Sequence, residues 1–527
     1  MRATKRRNPP RFVYESPMSA SFRIALLAAV ASLTPAISHA MDADLRARSR
    51  EPTAIALCGE VNSDGAGFTT ADCGKAGYDK LVAAIDRSFD AALAKTPANI
   101  RPLLKRDQAW FNEMILEAAG TVQEADEDEL RENFVATLHK RAAVLDDVAQ
   151  GFGRSGLAGK WVYAFGSVTL TAADNGEFRL AADMQAYYGS DKHRSCRLNA
   201  VVAPSAGGWL SGTIQPEEGK PASAGEQKTT VEGKSPKPPS IKLRRQGDSL
   251  RVVMIDSDNE WDNKRDDCDY MWQITGSYFA SGRQDTADRA DTSFVMPTFD
   301  CLRPDTATDE EICADPDLAE NDRRLNRAWK ALLPRLDDAT RRALTEDQRN
   351  WVGAQTQEYP EFLHPAWEKQ TAQMHFTANA RDHVDGLQRE RIALLEGFDD
   401  KRRGLAGVWL AYNAIIKITV DKDGRLKAQG WKWDQGDWKA GCDYDMSGKI
   451  ADGTFRSDEQ RKNPDTLERD HGMLIVNRLD DLFAKKRSGK ENEDEEKCKR
   501  RLDNSSTARL FPARPSLDID NLPGFIR

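Results

Sequence analysis

The hexapeptide Gly156-Leu157-Ala158-Gly159-Lys160-Trp161 returns as Gly404-Leu405-Ala406-Gly407-Val408-Trp409. A six-residue echo alone carries little. Here it sits inside a longer repeated order: two cysteines, a charged helix-rich stretch, the GLAG-x-Trp segment, two more cysteines. Cys58 and Cys73 open the first round, and Cys196 and Cys268 close it. Cys301 and Cys313 open the second, and Cys442 and Cys498 close it. A repeat this long divides a chain before any local reading does. The 527 residues read as two copies of one design.

The N-terminus reads as an export leader, residues 1–40. Arg23 precedes an apolar run from Ile24 to Leu33, and Ser38-His39-Ala40 is a small-x-small cleavage signal. Met1 and Met18 are both candidate initiators. No cysteine directly follows the cleavage site, so no lipid anchor is expected there. No later run of about 20 apolar residues occurs, so the mature chain is expected not to insert into a membrane. The expected location is periplasmic or secreted.

Export makes the cysteines legible. All eight lie after residue 40, and an even count in an oxidising compartment implies four disulfides. The repeat selects Cys58–Cys73, Cys196–Cys268, Cys301–Cys313 and Cys442–Cys498. No CxxC occurs and zinc-ligand spacing is absent, which favours structural bridges over metal or redox chemistry.

Within each copy the hydrophobic period changes at the GLAG tryptophan. Upstream the spacing is helical. In the second copy Asp315 is placed to cap a helix, Pro316 suits its first position, and Leu318, Leu325, Trp329, Leu332 and Leu336 form its stripe. Cys313 would tie an incoming strand at Cys301 to that helix start. Trp110 and Trp351 sit on apolar stripes and read as core anchors. Downstream the pattern alternates, with hairpin turns at Asn175-Gly176 and Asp423-Gly424 and later strands at 250–255 and 473–479. The expected fold class is α+β: a tandem duplication, each copy a small antiparallel helical bundle followed by a small antiparallel β-barrel or sandwich. The expected boundaries are 50–153 and 154–280 for the first copy, a linker at 281–297, 298–400 and 401–513 for the second, and a tail at 514–527. Stretches 219–240 and 485–501 read as solvated loops.

The second helical stretch resembles the lysozyme inhibitor LprI-type N-terminal domain family. The resemblance runs over residues 300–355, through Asp300-Cys301, Glu310, Ile312-Cys313-Ala314, Leu318, Asp322, Leu325 and Gln348 to Trp351. Residues 55–115 carry a weaker form: Cys58, Cys73 and Trp110 keep their places, without the ICADP signature. The family's further cysteine after the tryptophan is missing from both copies. The resemblance implies a small secreted helical domain, with lysozyme inhibition as a known activity.

Signals for catalysis are sparse. The sequence contains no GxSxG, HExxH or P-loop, nor GxGxxG in a strand–turn–helix context. His375 and His383 are spaced for one exposed helix face. Asp266-Asp267 and Asp399-Asp400 read as solvated charge, and Asp421 to Asp423 as a hairpin turn. No metal or cofactor is expected. The net charge of -8 argues against a nucleic-acid partner. One stretch suits recognition: Trp431 and Trp433 share a strand face, Trp438 lies across a turn, and Asp434 and Asp437 lie beside them. The rings either fill a barrel core or form an aromatic surface for a glycan or protein. Tyr187 and Tyr188 occupy the corresponding region of the first copy. An acidic surface suits a basic lysozyme-type hydrolase. The expectation is an exported non-enzymatic binding protein, inhibiting such a hydrolase or binding another envelope protein. The alternative is an envelope scaffold or glycan-binding protein without inhibition.

Overall fold

The computed structural model describes residues 57–59, 68–124, 128–186, 194–215, 239–255, 274–283, 285–286, 293–304, 306–357, 378–434, 437–451, 454–458, 466–477 and 509–516. All of them belong to one compact unit, Ser49–Arg527.

Two short paired strands, β1 (Cys58–Gly59) and β2 (Phe68–Thr69), lead into α1 (Thr70–Ala76). The Thr69 hydroxyl accepts from the Asp72 amide at its start, and Gly77, at φ 75°, ends it. Next come α2 (Tyr78–Lys95), α3 (Arg101–Glu124) and α4 (Asp128–Gly151). Val82, Ile85, Phe89 and Ala92 line one face of α2 and pack toward α4.

Strands β3 (Gly159–Tyr163), β4 (Gly166–Ala172), β5 (Phe178–Ala186), β6 (Arg194–Pro204), β7 (Leu210–Gln215), β8 (Ser240–Gln246), β9 (Ser249–Ile255) and β10 (Gly276–Ala280) close into an antiparallel barrel. A second helical segment follows: α5 (Ala307–Ala314), α6 (Pro316–Leu332), α7 (Asp338–Gln357) and α8 (Ala378–Glu396). Then β11 (Gly407–Ala411), β12 (Ala414–Val420), β13 (Leu426–Asp434), β14 (Asp437–Ala451), β15 (Thr454–Ser457), β16 (Thr466–Asp470), β17 (Met473–Asn477) and β18 (Arg509–Ala513) close a second barrel. The chain is thus α+β with two closed eight-stranded antiparallel barrels, each running strand to neighbouring strand until the last meets the first. Of the two expected β forms, the barrel is the one present.

Most of the helical core is shared with the barrels, and a small cluster of Ile312, Leu318 and Val384 lies among helices alone. One cluster runs from Phe89, Phe111 and Leu145 on the helices to Val162, Leu170 and Tyr278 on the strands. In the second half, Leu332, Leu344 and Leu395 pack on Val408, Leu410, Ile415 and Phe511. The reason lies in the strands: β3 and β11 carry apolar side chains on both faces, so the outer face needs a helical cover.

The repeated hexapeptide is the barrel corner. The Trp161 indole N–H donates to the Leu157 carbonyl at 2.8 Å, and Trp409 donates to Leu405 at 2.7 Å. Arg154 lies 4.5 Å from the Trp161 ring and Arg402 lies 5.1 Å from Trp409. Gly407 has φ 122°, and a Cβ there would stand 2.7 Å from the Arg402 guanidinium carbon. Gly159, at φ 115°, makes the same room for Arg154.

Cys58–Cys73 and Cys301–Cys313 are disulfides, with Cα atoms 5.7 and 5.8 Å apart. One local expectation fails. Cys301 lies in a turn rather than on a strand, and Cys313 is in the last turn of α5 rather than just ahead of the first helix. Thr306 and Asp309 form a capping box that starts α5 early. Asp315 then caps α6 as expected, accepting from the amides of Asp317 and Leu318. Cys196 and Cys442 fall on β6 and β14, but their side chains, like Cys268 and Cys498, lie outside the described residues.

Candidate functional site

Buried acid–arginine contacts tie elements together at three places among the described residues, beside the separately buried Arg154, Arg245, Glu390 and Lys432. Two repeat one device. In the first half Asp107 and Gln108 on α3 meet Arg141 on α4. Arg141 donates to Asp107 at 2.8 Å and to Gln108 at 2.8 Å. The other Asp107 oxygen accepts the Ala164 backbone amide at the β3–β4 turn, 2.6 Å away. In the second half Arg391 on α8 donates to Asp347 and Gln348 on α7, each at 2.6 Å. Asp347 accepts the Tyr412 amide at the β11–β12 turn, at 3.0 Å. Each latch ties two helices to a barrel hairpin. Burial pushes both carboxyls upward, while their arginines pull them back.

The latch corrects the pairing of the two tryptophans. Arg141 stacks on Phe111 and Arg391 on Trp351, so Phe111 is the counterpart of Trp351. Trp110 instead packs against Arg106 and Phe165. Both tryptophans are buried, as core anchors should be.

The third place joins the halves. Glu311 and Asp315, fully buried, sit at the α5–α6 corner with Asp317. Glu311 accepts from Arg106 on α3 at 3.2 Å and pairs closely with Arg251 on β9. Arg251 also reaches Asp315 at 3.2 Å, as does Arg381 from α8. Asp317 accepts from Lys242 on β8 at 2.8 Å, from the Trp209 indole at 2.9 Å and from Arg381 at 3.2 Å. The Gln246 amide donates to the Cys313 carbonyl at 3.4 Å. Ala314 completes the contact from the apolar side, as a member of the first half's core.

Burial works strongly against ionisation of Asp315. Arg381 and Arg251 outweigh it and hold the carboxyl well below the usual carboxylate range. Burial likewise lowers Arg106, with Glu311 opposing. Carboxylates closed off from water and saturated by guanidinium groups hold structure; they have no route to a substrate proton. Sequence reasoning missed Glu311, although the acid-rich EEICADPD stretch was visible. Its cations, Arg106 and Arg251, come from α3 and β9, far away in the chain.

The expected aromatic surface maps to the β13–β14 hairpin. Asp434 faces Asp437 across a bulge beside Trp433. Trp431 is half-buried and packs outward on the helix–barrel cluster with Leu325 and Trp329. The side chains of Trp433, Asp434, Asp437 and Trp438 lie outside the described residues, as do Tyr187, Tyr188, Asp266-Asp267 and His375. His383 is on α8, its side chain likewise undescribed. Among the described residues no group of histidine, cysteine and acidic side chains is arranged to hold a metal, and no helix is long and apolar enough to cross a membrane.

Residues 301–392 match the family model described as lysozyme inhibitor LprI. The match begins at a disulfide cysteine and ends one residue beyond Arg391. It contains the acidic corner, Arg381 and the helical members of the second latch, Asp347, Gln348 and Arg391. No curated protein and no solved structure gives a significant match.

Proposed function

We propose that this chain is an exported binding protein without catalytic activity that inhibits a lysozyme-type cell-wall hydrolase. The match of residues 301–392 to the LprI family carries the reading. The leader-like residues 1–40, the paired cysteines and the acidic balance support it. The chain is a tandem duplication under this reading. In its support, each half has a latch of the same construction and a GLAG-x-Trp barrel corner. The acidic corner is spent on the first barrel, so a target would be met elsewhere. The β13–β14 hairpin, with Trp433, Asp434, Asp437 and Trp438, is the surface proposed.

The test is residual muramidase activity on peptidoglycan, with the chain from residue 41 titrated against a basic lysozyme. Stoichiometric loss of activity is expected, weakened about tenfold or more by Trp433→Ala with Trp438→Ala, as befits aromatic hot spots. Full muramidase activity at large excess of oxidised protein would reject inhibition of that enzyme.

A second reading, an envelope scaffold or glycan binder, is favoured by one observation. The matched stretch is under a fifth of the 527 residues, and its buried acids serve internal assembly. Sedimentation with purified peptidoglycan, without any protein partner, would select this reading.

A further inference from the structure

The stretch that joins the halves also carries a disulfide. Glu311, the Cys313 carbonyl, Ala314 and Asp315 lie within five consecutive residues, and each of them meets the first half. All but Asp315 belong to α5, a helix of eight residues. A helix that short does not persist by itself, so whatever holds its ends decides whether the docking groups stay in place. Its N-terminus is held by the Thr306–Asp309 capping box and by the Thr308 hydroxyl, which donates to the Gln355 carbonyl on α7 at 2.7 Å. Its C-terminus is held by the Asp315 corner and by the bond from Cys313 to Cys301. The chain just ahead of Cys301 is anchored on α6, where the Thr298 amide donates to Asp322 at 2.6 Å. The disulfide therefore fastens the chain arriving from the first barrel to the turn of helix that docks back on that barrel. Cys301 and Cys313 are each 1% exposed. The other bridge, Cys58–Cys73, is placed differently. It ties β1 to α1, and the first half meets the joint through Arg106, Trp209, Lys242, Gln246 and Arg251, none of which belongs to those two elements.

We propose that Cys301–Cys313 makes the docking of the two halves depend on oxidation. In the oxidised chain α5 is fixed, and Glu311 is seated between Arg106 and Arg251. A dithiol reductant breaks the bond: it passes two electrons and two protons to the two sulfurs, which become thiols, and closes into its own disulfide. The last turn of α5 is then free to fray, and Glu311, the Cys313 carbonyl and Ala314 lose their fixed places together. The dependence runs both ways. Sulfurs closed off from water are reached in the undocked state, so docking protects the bond and anything that weakens docking exposes it. Such a joint closes once the chain meets an oxidising compartment, and not before.

The test is reduction of the folded full chain by dithiothreitol, with alkylation of the released thiols and mass mapping of each bridge over time. Arg251→Ala should speed reduction of Cys301–Cys313 about tenfold or more, because it removes a buried counter-charge from the joint, and should leave the rate at Cys58–Cys73 unchanged. Scanning calorimetry reads the other direction. The chain with Cys301→Ser and Cys313→Ser should melt in two transitions, and the chain with Cys58→Ser and Cys73→Ser in one. An unchanged rate at Cys301–Cys313 in Arg251→Ala, equal acceleration of both bridges, or a single transition in the Cys301→Ser, Cys313→Ser chain overturns the proposal.

Discussion

Asp315 does two jobs with two oxygens. One caps α6 through the amides of Asp317 and Leu318, and the other accepts from Arg251 and Arg381. Asp315→Asn should therefore cost more than a cap alone, about 3–5 kcal/mol, because a buried guanidinium loses its counter-charge. Chemical denaturation of the two proteins at neutral pH measures the difference. Its pH dependence has a definite sign. The folded carboxyl sits below its unfolded value, so its contribution is complete above about pH 5. It is lost as pH falls below that, when the unfolded chain takes up the proton first. The stability gap between the wild-type chain and the Asp315→Asn variant should narrow from about pH 5 to about pH 2, measured by urea unfolding, on the linkage scale of about 1.4 kcal/mol per pH unit. A gap that is constant across that range would mean that the carboxylate charge is not what Arg251 and Arg381 recognise.

At the scale of elements, the barrel corners depend on a glycine that leaves space for an arginine. Gly407 has a left-handed φ and lies against Arg402, whereas at Gly404 a Cβ would meet nothing within 4 Å. Gly407→Ala should cost about 1–3 kcal/mol through backbone strain and displacement of Arg402, and Gly404→Ala should be close to neutral. Thermal melts of the two variants separate these outcomes; equal costs would remove the corner from the argument. The repeated hexapeptide was legible because its six residues are contiguous, whereas the corner it builds with Arg154 or Arg402 was not. The same locality made the Asn175-Gly176 turn and the Asp315 cap readable. What escaped depends on contacts between elements. The outward apolar face of β3 was indistinguishable from a core face until a helix was seen on it. Cys73 to Phe111 and Cys313 to Trp351 are both 38 residues, so the match lay in the spacing, but the shared residue type drew the reading to Trp110, one residue short, until the latch arginines showed which ring corresponds.

At the scale of the whole molecule, the decisive residue is Arg251. It bridges Glu311 and Asp315 from a barrel built by the other half of the chain, in a site without water access. Lys242 and Trp209 reinforce it at Asp317. Counted from the β16–β17 hairpin, the second barrel has Thr466 and Ile475 where the first has Lys242 and Arg251, so the contact belongs to one barrel alone. The halves should accordingly unfold together. Arg251→Ala leaves Glu311 with Arg106 and Asp315 with Arg381, each short of one counter-charge, and should weaken the joint by about 3–5 kcal/mol. Differential scanning calorimetry reads the consequence directly. The wild-type chain, oxidised, is expected to give one transition, because each half's core is closed by the other's charge. The Arg251→Ala chain is expected to give two, the earlier one belonging to the half whose acidic corner has been released. A single transition at an unchanged temperature in the variant would show that Ala314 and the apolar contact around it hold the halves together, and that the buried ions only fix their register.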